Sequence, residues 1–125
     1  DLPKFNPFHH ATIVMKKDVL CALNGYTVTK RTKRAEDVDL WFRFFEAGYK
    51  GINLKDALYR VREDQAAFKR RKLNYSFQAS QVLYIGIRRL RLPLFYYIYV
   101  LKPLISYFTP LWIKKQYRMN LGKAK

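Results

Sequence analysis

Ala35-Glu36-Asp37-Val38-Asp39-Leu40-Trp41-Phe42-Arg43-Phe44-Phe45-Glu46-Ala47-Gly48-Tyr49 sets three carboxylates at the mouth of a strongly apolar segment. At helical pitch Val38, Trp41, Phe44 and Phe45 fall on one core-facing stripe, and Gly48 suits the left-handed residue that ends such a helix. Glu36, Asp37 and Asp39 then occupy the first turn, where acids complement the positive end of the helix dipole. Asp39 is spaced to pair with Arg43 four residues on. Read from these residues alone, the acids are either a structural feature of a helix start, which is the favoured reading, or a place for chemistry.

The flanks add further motifs. Upstream, His10-Ala11-Thr12 leads into the apolar run Ile13-Val14-Met15, then Lys16-Lys17 and a short helical stretch closed by Asn24-Gly25-Tyr26. Downstream come Gly48-Tyr49-Lys50-Gly51-Ile52-Asn53-Leu54 and Leu58-Tyr59-Arg60-Val61-Arg62. In this order the segments resemble the family 2 glycosyltransferases of the inverting GT-A type. These have an E-D-x-D-L-W-x-R signature, a His-x-Ser/Thr strand, a Gly-Tyr turn, and a strand and Tyr-Arg element after the acidic helix. The resemblance covers about residues 6–64, roughly half of the chain.

The resemblance implies an α/β fold: the C-terminal half of a GT-A, Rossmann-like domain over 1–64, on the acceptor side; over 65–125 the expectation, from charge and apolar pattern, is a basic, aromatic, helical and membrane-associating segment. It implies transfer of a sugar from a nucleotide-sugar donor to a saccharide or lipid-linked acceptor, in surface polysaccharide synthesis. Inverting transfer requires a base that takes the acceptor hydroxyl proton as that oxygen attacks the anomeric carbon. By the family pattern Asp37 is that base, Glu36 orients the acceptor or the backbone, and His10, Trp41, Arg60 and Arg62 contact substrate. The guanidinium fork of Arg60 and Arg62 suits a diphosphate. A histidine stands near the position of Arg62 in many relatives, so a metal ligand there is in doubt.

Asp37-Val38-Asp39 also reads as D-x-D, the superfamily's cation-binding motif. It opens a helix in the Glu36 and Leu40-Trp41 context, so it belongs to the acceptor side. The divalent cation, Mg or Mn, expected of a complete enzyme takes its main ligands elsewhere, and no metal site is assigned to this chain. The first residue is Asp1, and no N-terminal βαβ unit is present to bind a nucleotide. The expectation is therefore an incomplete enzyme, a poor catalyst alone, partnered by an upstream nucleotide-binding half. His9 and His10, adjacent on an expected strand, point to opposite faces and do not share a metal.

Charge divides the chain. Its 125 residues carry +16, and all nine acids lie in 1–64. Residues 65–125 hold thirteen Lys and Arg and no acid, +13 against +3 for the first half. Such a half calls for an anionic partner. From Leu92 to Ile113 it is apolar and aromatic, with Arg88, Arg89 and Arg91 before and Lys114, Lys115 and Arg118 after. The 22 residues are long enough to span a bilayer, which takes about 20. Lys102 costs roughly 2.5–3.5 kcal/mol on insertion scales, and Pro93, Pro103 and Pro110 interrupt the run. The favoured reading is two short helices broken near Pro103 and lying in the interface. Tyr96, Tyr97 and Trp112 would sit at headgroup depth, with Lys102 snorkelling outward. Ala66 to Leu92 reads as an amphipathic helix approaching that surface.

The localisation this predicts is the cytoplasmic face of the membrane, peripheral or monotopic. The competing class is a basic, non-catalytic module that binds membrane or nucleic acid. Its aromatics cluster instead of alternating with the bases, which argues against nucleic acid. The lone Cys21 excludes an internal disulfide and reads as a small buried residue. No signal peptide, repeat or Gly/Ser linker is present.

Overall fold

The computed structural model describes residues 2–56, 58–60, 72–110, 112, 113 and 116. Among the described residues four α-helices organise it: α1 (Lys17–Ala22), α2 (Glu36–Glu46), α3 (Leu73–Arg89) and α4 (Lys102–Phe108). Of two 3₁₀ segments, His10–Thr12 precedes α1 and Leu94–Leu101 joins α3 to α4.

The acidic stretch forms α2 with the expected bounds, and it buries more than one stripe. Trp41 and Phe44 are buried and Val38 and Phe45 half-buried, but Leu40 and Phe42, outside the predicted face, are also fully covered. A helix apolar on most of its circumference needs partners on several sides. Phe8 supplies one, its ring meeting Trp41 at 5.0 Å and Phe45 at 6.0 Å. Helix α3 supplies the other at Gly86, where an added Cβ would sit 2.3 Å from the Phe42 ring. The lone glycine in the helical pattern is thus the point of closest approach of α2 and α3.

Three helices end in the same way. The C″ amide reaches back to the C3 carbonyl: Gly25 to Leu20 (2.9 Å), Tyr49 to Phe44 (3.2 Å) and Leu92 to Ile87 (3.1 Å). This is the Schellman arrangement, which satisfies carbonyls the helix leaves unpaired. Its left-handed residue is Asn24, Gly48 and Arg91 respectively. At the end of α2 the apolar contact that accompanies the motif is the Phe44–Tyr49 ring pair, at 5.4 Å.

The expected α/β architecture is overturned: the described residues are helical and contain no strand or sheet. His10–Thr12 winds into a 3₁₀ turn because the Thr12 amide and hydroxyl both donate to the His9 carbonyl, at 2.9 and 2.8 Å. A local side-chain bond of this kind competes with strand pairing. Beyond it the backbone is extended at Ile13 and Lys16, yet Val14 is wholly exposed. Residues 50–54 are held by other means, with Asn53 Nδ2 donating to the Pro7 carbonyl at 2.9 Å. Extended backbone becomes strand only when a neighbour completes the ladder, and no described segment does so.

The basic half packs back onto α2. Helix α3 lies against α2, the 3₁₀ segment Leu94–Leu101 and α4. Leu2, Leu40, Trp41, Phe42 and Leu83 belong to one buried cluster, with Leu90 and Val100 packed on its border. Arg34 lies over the Tyr75 ring, 5.5 Å from its centre, and Arg89 meets Glu46 at 3.3 Å. The apolar run divides at Lys102, with Pro103 in the first turn of α4. Among the described residues no helix is long and apolar enough to cross a membrane.

Candidate functional site

The three acids in the first turn of α2 have three different surroundings. Asp39, 8 % exposed, accepts from Arg43 Nε at 2.9 Å and from the Thr27 hydroxyl at 2.7 Å. Arg43 spends its remaining donors on the α1 terminus, bonding the Leu23 carbonyl and, at 2.8 Å, the Gly25 carbonyl. One guanidinium therefore ties α2 to the end of α1, and Thr27 ties the following loop to the same carboxylate. The loop itself turns about buried Thr32, whose hydroxyl donates to the Thr27 carbonyl and accepts from the Thr29 amide at 3.0 Å.

Asp37 is half-buried. Its Oδ1 accepts from the Val38 amide at 2.8 Å and its Oδ2 from Asn6 Nδ2 at 3.3 Å. Both bonds orient the carboxylate. Glu36 is exposed beside it. Only Asp37 combines an oriented carboxylate with access from solvent.

Trp41 stands one turn along from Asp37, on the same side of α2. His10 lies against it, ring centres 6.4 Å apart, while His10 Nε2 meets the Tyr26 hydroxyl at 3.3 Å. His10 is exposed and belongs to the 3₁₀ turn. Arg60 is exposed at the end of the short segment 58–60. Arg62, Lys114 and Lys115 lie outside the described residues. Of the expected membrane contacts, Arg88, Arg89, Arg91 and Trp112 are exposed and Tyr96 and Tyr97 half-buried. Cys21 is exposed, correcting the buried reading.

A cleft of about 780 Å³ opens beside this cluster, lined by Phe8, Trp41, Phe44, Tyr49, Leu54 and Tyr59 among others. His9, not His10, borders it, close to Tyr59. Among the described residues Trp41 is the one predicted site residue on its wall, and Glu36, Asp37 and Asp39 are not in its lining. The Trp41 indole N–H is buried with no hydrogen-bond partner among the described residues.

The chain is 49 % identical over 116 residues to a protein named as a glycosyltransferase, EpsE of Bacillus subtilis (strain 168), covering 93 % of this chain and 42 % of that protein. It is 35 % identical over 71 residues to the amylovoran biosynthesis glycosyltransferase AmsE of Erwinia amylovora, covering 56 % of this chain and 26 % of that one. Both relatives carry the name glycosyltransferase. The chain spans less than half the length of either. No protein-family model and no solved structure matches it. A match of 116 residues leaves at most nine outside, so residues 10–116 fall within the similarity to EpsE. That range holds the α2 acids and the apolar run alike.

Among the described residues no three His, Cys, Asp or Glu side chains converge as a cation site. The described residues by themselves do not form a fit for a divalent ion. Sequence reasoning missed Asn6, 31 residues from the carboxylate it holds, and Phe8; neither has a local signal. Gly86 did have one, a glycine alone inside a helical pattern.

Proposed function

We propose that this chain is the acceptor-side portion of an inverting, GT-A family 2 glycosyltransferase of surface polysaccharide synthesis. Its donor is a nucleotide sugar, and Asp37 is the general base. The observation that supports it most is the 49 % identity to a glycosyltransferase-named protein across a range that includes the acidic helix. The surroundings of the acids favour Asp37 within that reading, since Asp39 is committed to Arg43 and Thr27.

The chemistry is a single displacement. The acceptor hydroxyl oxygen forms a bond to the anomeric carbon as the bond from that carbon to the diphosphate oxygen breaks. The leaving nucleotide takes the electron pair, and the hydroxyl proton passes to an Asp37 carboxylate oxygen. Asn6 and the Val38 amide hold the carboxylate for this transfer, Glu36 and His10 flank the approach, and Trp41 offers an aromatic wall to a sugar. On this reading Arg60 and Arg62 are the residues that take the diphosphate. On this reading the nucleotide pocket and the ligands of the Mg or Mn ion belong to an upstream half.

The test is transfer from a panel of nucleotide sugars into native membranes by the full-length protein that contains this chain. Asp37→Asn is expected to lower turnover by on the order of 10²–10⁴ with donor binding retained. Wild-type turnover in the variant overturns the assignment.

A further inference from the structure

The stretch from Leu94 to Phe108 winds continuously, as a 3₁₀ segment that passes into α4 through helical backbone at Leu101 and Lys102. Phe95, Ile98 and Leu101 recur every third residue, a spacing that eclipses side chains at 3₁₀ pitch into one row. Leu101, Ile105 and Phe108 carry that row along α4, bordering a shallow apolar depression with Leu104 and Ile113. None of the large apolar side chains along the row is buried; Leu94 is 85 % exposed, Phe108 73 % and Trp112 70 %. An apolar face this extended, on a chain this charged, marks a contact with something apolar.

Lys102 decides what kind. At the centre of the run its charge would oppose immersion of the row. Its ammonium instead turns back onto the protein and donates to the Lys4 carbonyl. The row is therefore free of charge along its length, while Arg88 and Arg91 stand exposed at the end of α3 where the run begins. No acidic side chain occurs anywhere in residues 65–125. One acid, Glu46, reaches that end and pairs with Arg89, which leaves Arg88 and Arg91 exposed; an apolar row with such cations at its start matches the acyl boundary and headgroups of an anionic lipid surface, in that order of depth.

We propose that Leu94–Phe108 is a monotopic wedge that lies in the surface of an anionic bilayer, with Phe95, Ile98, Ile105 and Phe108 entering the acyl boundary, Arg88 and Arg91 on lipid phosphate, and Lys102 held out by its bond to Lys4. The wedge lies flat and does not cross.

The test uses the full-length protein and vesicles of phosphatidylcholine, with and without about one third phosphatidylglycerol. Co-sedimentation is expected with the anionic vesicles, and weakly or not at all with the neutral ones. Arg88→Gln with Arg91→Gln lowers the partition about thirtyfold, and Phe95→Ser with Ile98→Ser and Phe108→Ser abolishes it while helicity by circular dichroism is unchanged. In the wild type, the difference spectrum against Trp112→Phe shifts to the blue on adding anionic vesicles. Equal binding by the triple serine variant, equal binding to both vesicles, or a Trp112 signal indifferent to lipid overturns the proposal. So does a vesicle-free dimer that the serine substitutions dissociate, since a second copy then covers the row.

Discussion

Helix α2 and the run from Leu94 to Phe108 are both apolar and aromatic, yet their side chains have opposite fates. Trp41, Phe42 and Phe44 lie buried among Phe8, Leu83 and Gly86, whereas Phe95, Ile98 and Phe108 face outward. Composition does not separate the two. What separates them is a partner of matching shape: a glycine on α3 lets Phe42 approach its backbone, and no equivalent notch receives the later rings. A hydrophobic residue is core only where something is built to hold it.

The contrast breaks most severely at Phe42. Phe42→Ala removes a ring 1 % exposed and is expected to cost about 3–5 kcal/mol by chemical denaturation. A loss under about 1 kcal/mol would mean that α2 and α3 do not close on one another. Gly86→Ala tests the same contact from the other side. The added methyl meets the ring, and overpacking of about 1–3 kcal/mol outweighs alanine's advantage in a helix. Next is the α1–α2 tie, where Arg43→Lys leaves one ammonium where three bonds were made and lowers stability by about 2 kcal/mol. Arg91→Gly goes the other way. It relieves a left-handed residue at φ +49 and is expected to raise stability by about 1 kcal/mol, read as a higher melting temperature. Ile98→Ser sharpens the comparison with the smallest effect, within about 0.5 kcal/mol, because an exposed side chain loses no packing.

Much of α2 was legible in the sequence. Its acids, its Asp39–Arg43 pair and its Gly48 terminus obey rules that act within one or two turns, as does the Asn24-Gly25 stop of α1. The absence of a sheet among the described residues was not legible. Ile13-Val14-Met15 has a strand's composition, but pairing depends on a second segment, and Thr12 diverts the chain just before it. The site divides along the same line. The acids were visible as a group, whereas their separate surroundings come from Asn6 and Thr27, far away in sequence. Lys102 shows the reverse error, since a charge inside an apolar run reads as outward-facing until a distant carbonyl is seen to receive it.

The Lys102–Lys4 bond also bears on the time at which this molecule takes shape. Its partners stand 98 residues apart, and ribosomes add about 5–20 residues per second. The N-terminal segment therefore waits on the order of 5–20 seconds for the residue that receives it. The Phe42 side of α2 stays open to solvent, or to chaperones, only until α3 follows it, so the α2 ring cluster is an early product of synthesis and the Lys4–Lys102 tie a late one.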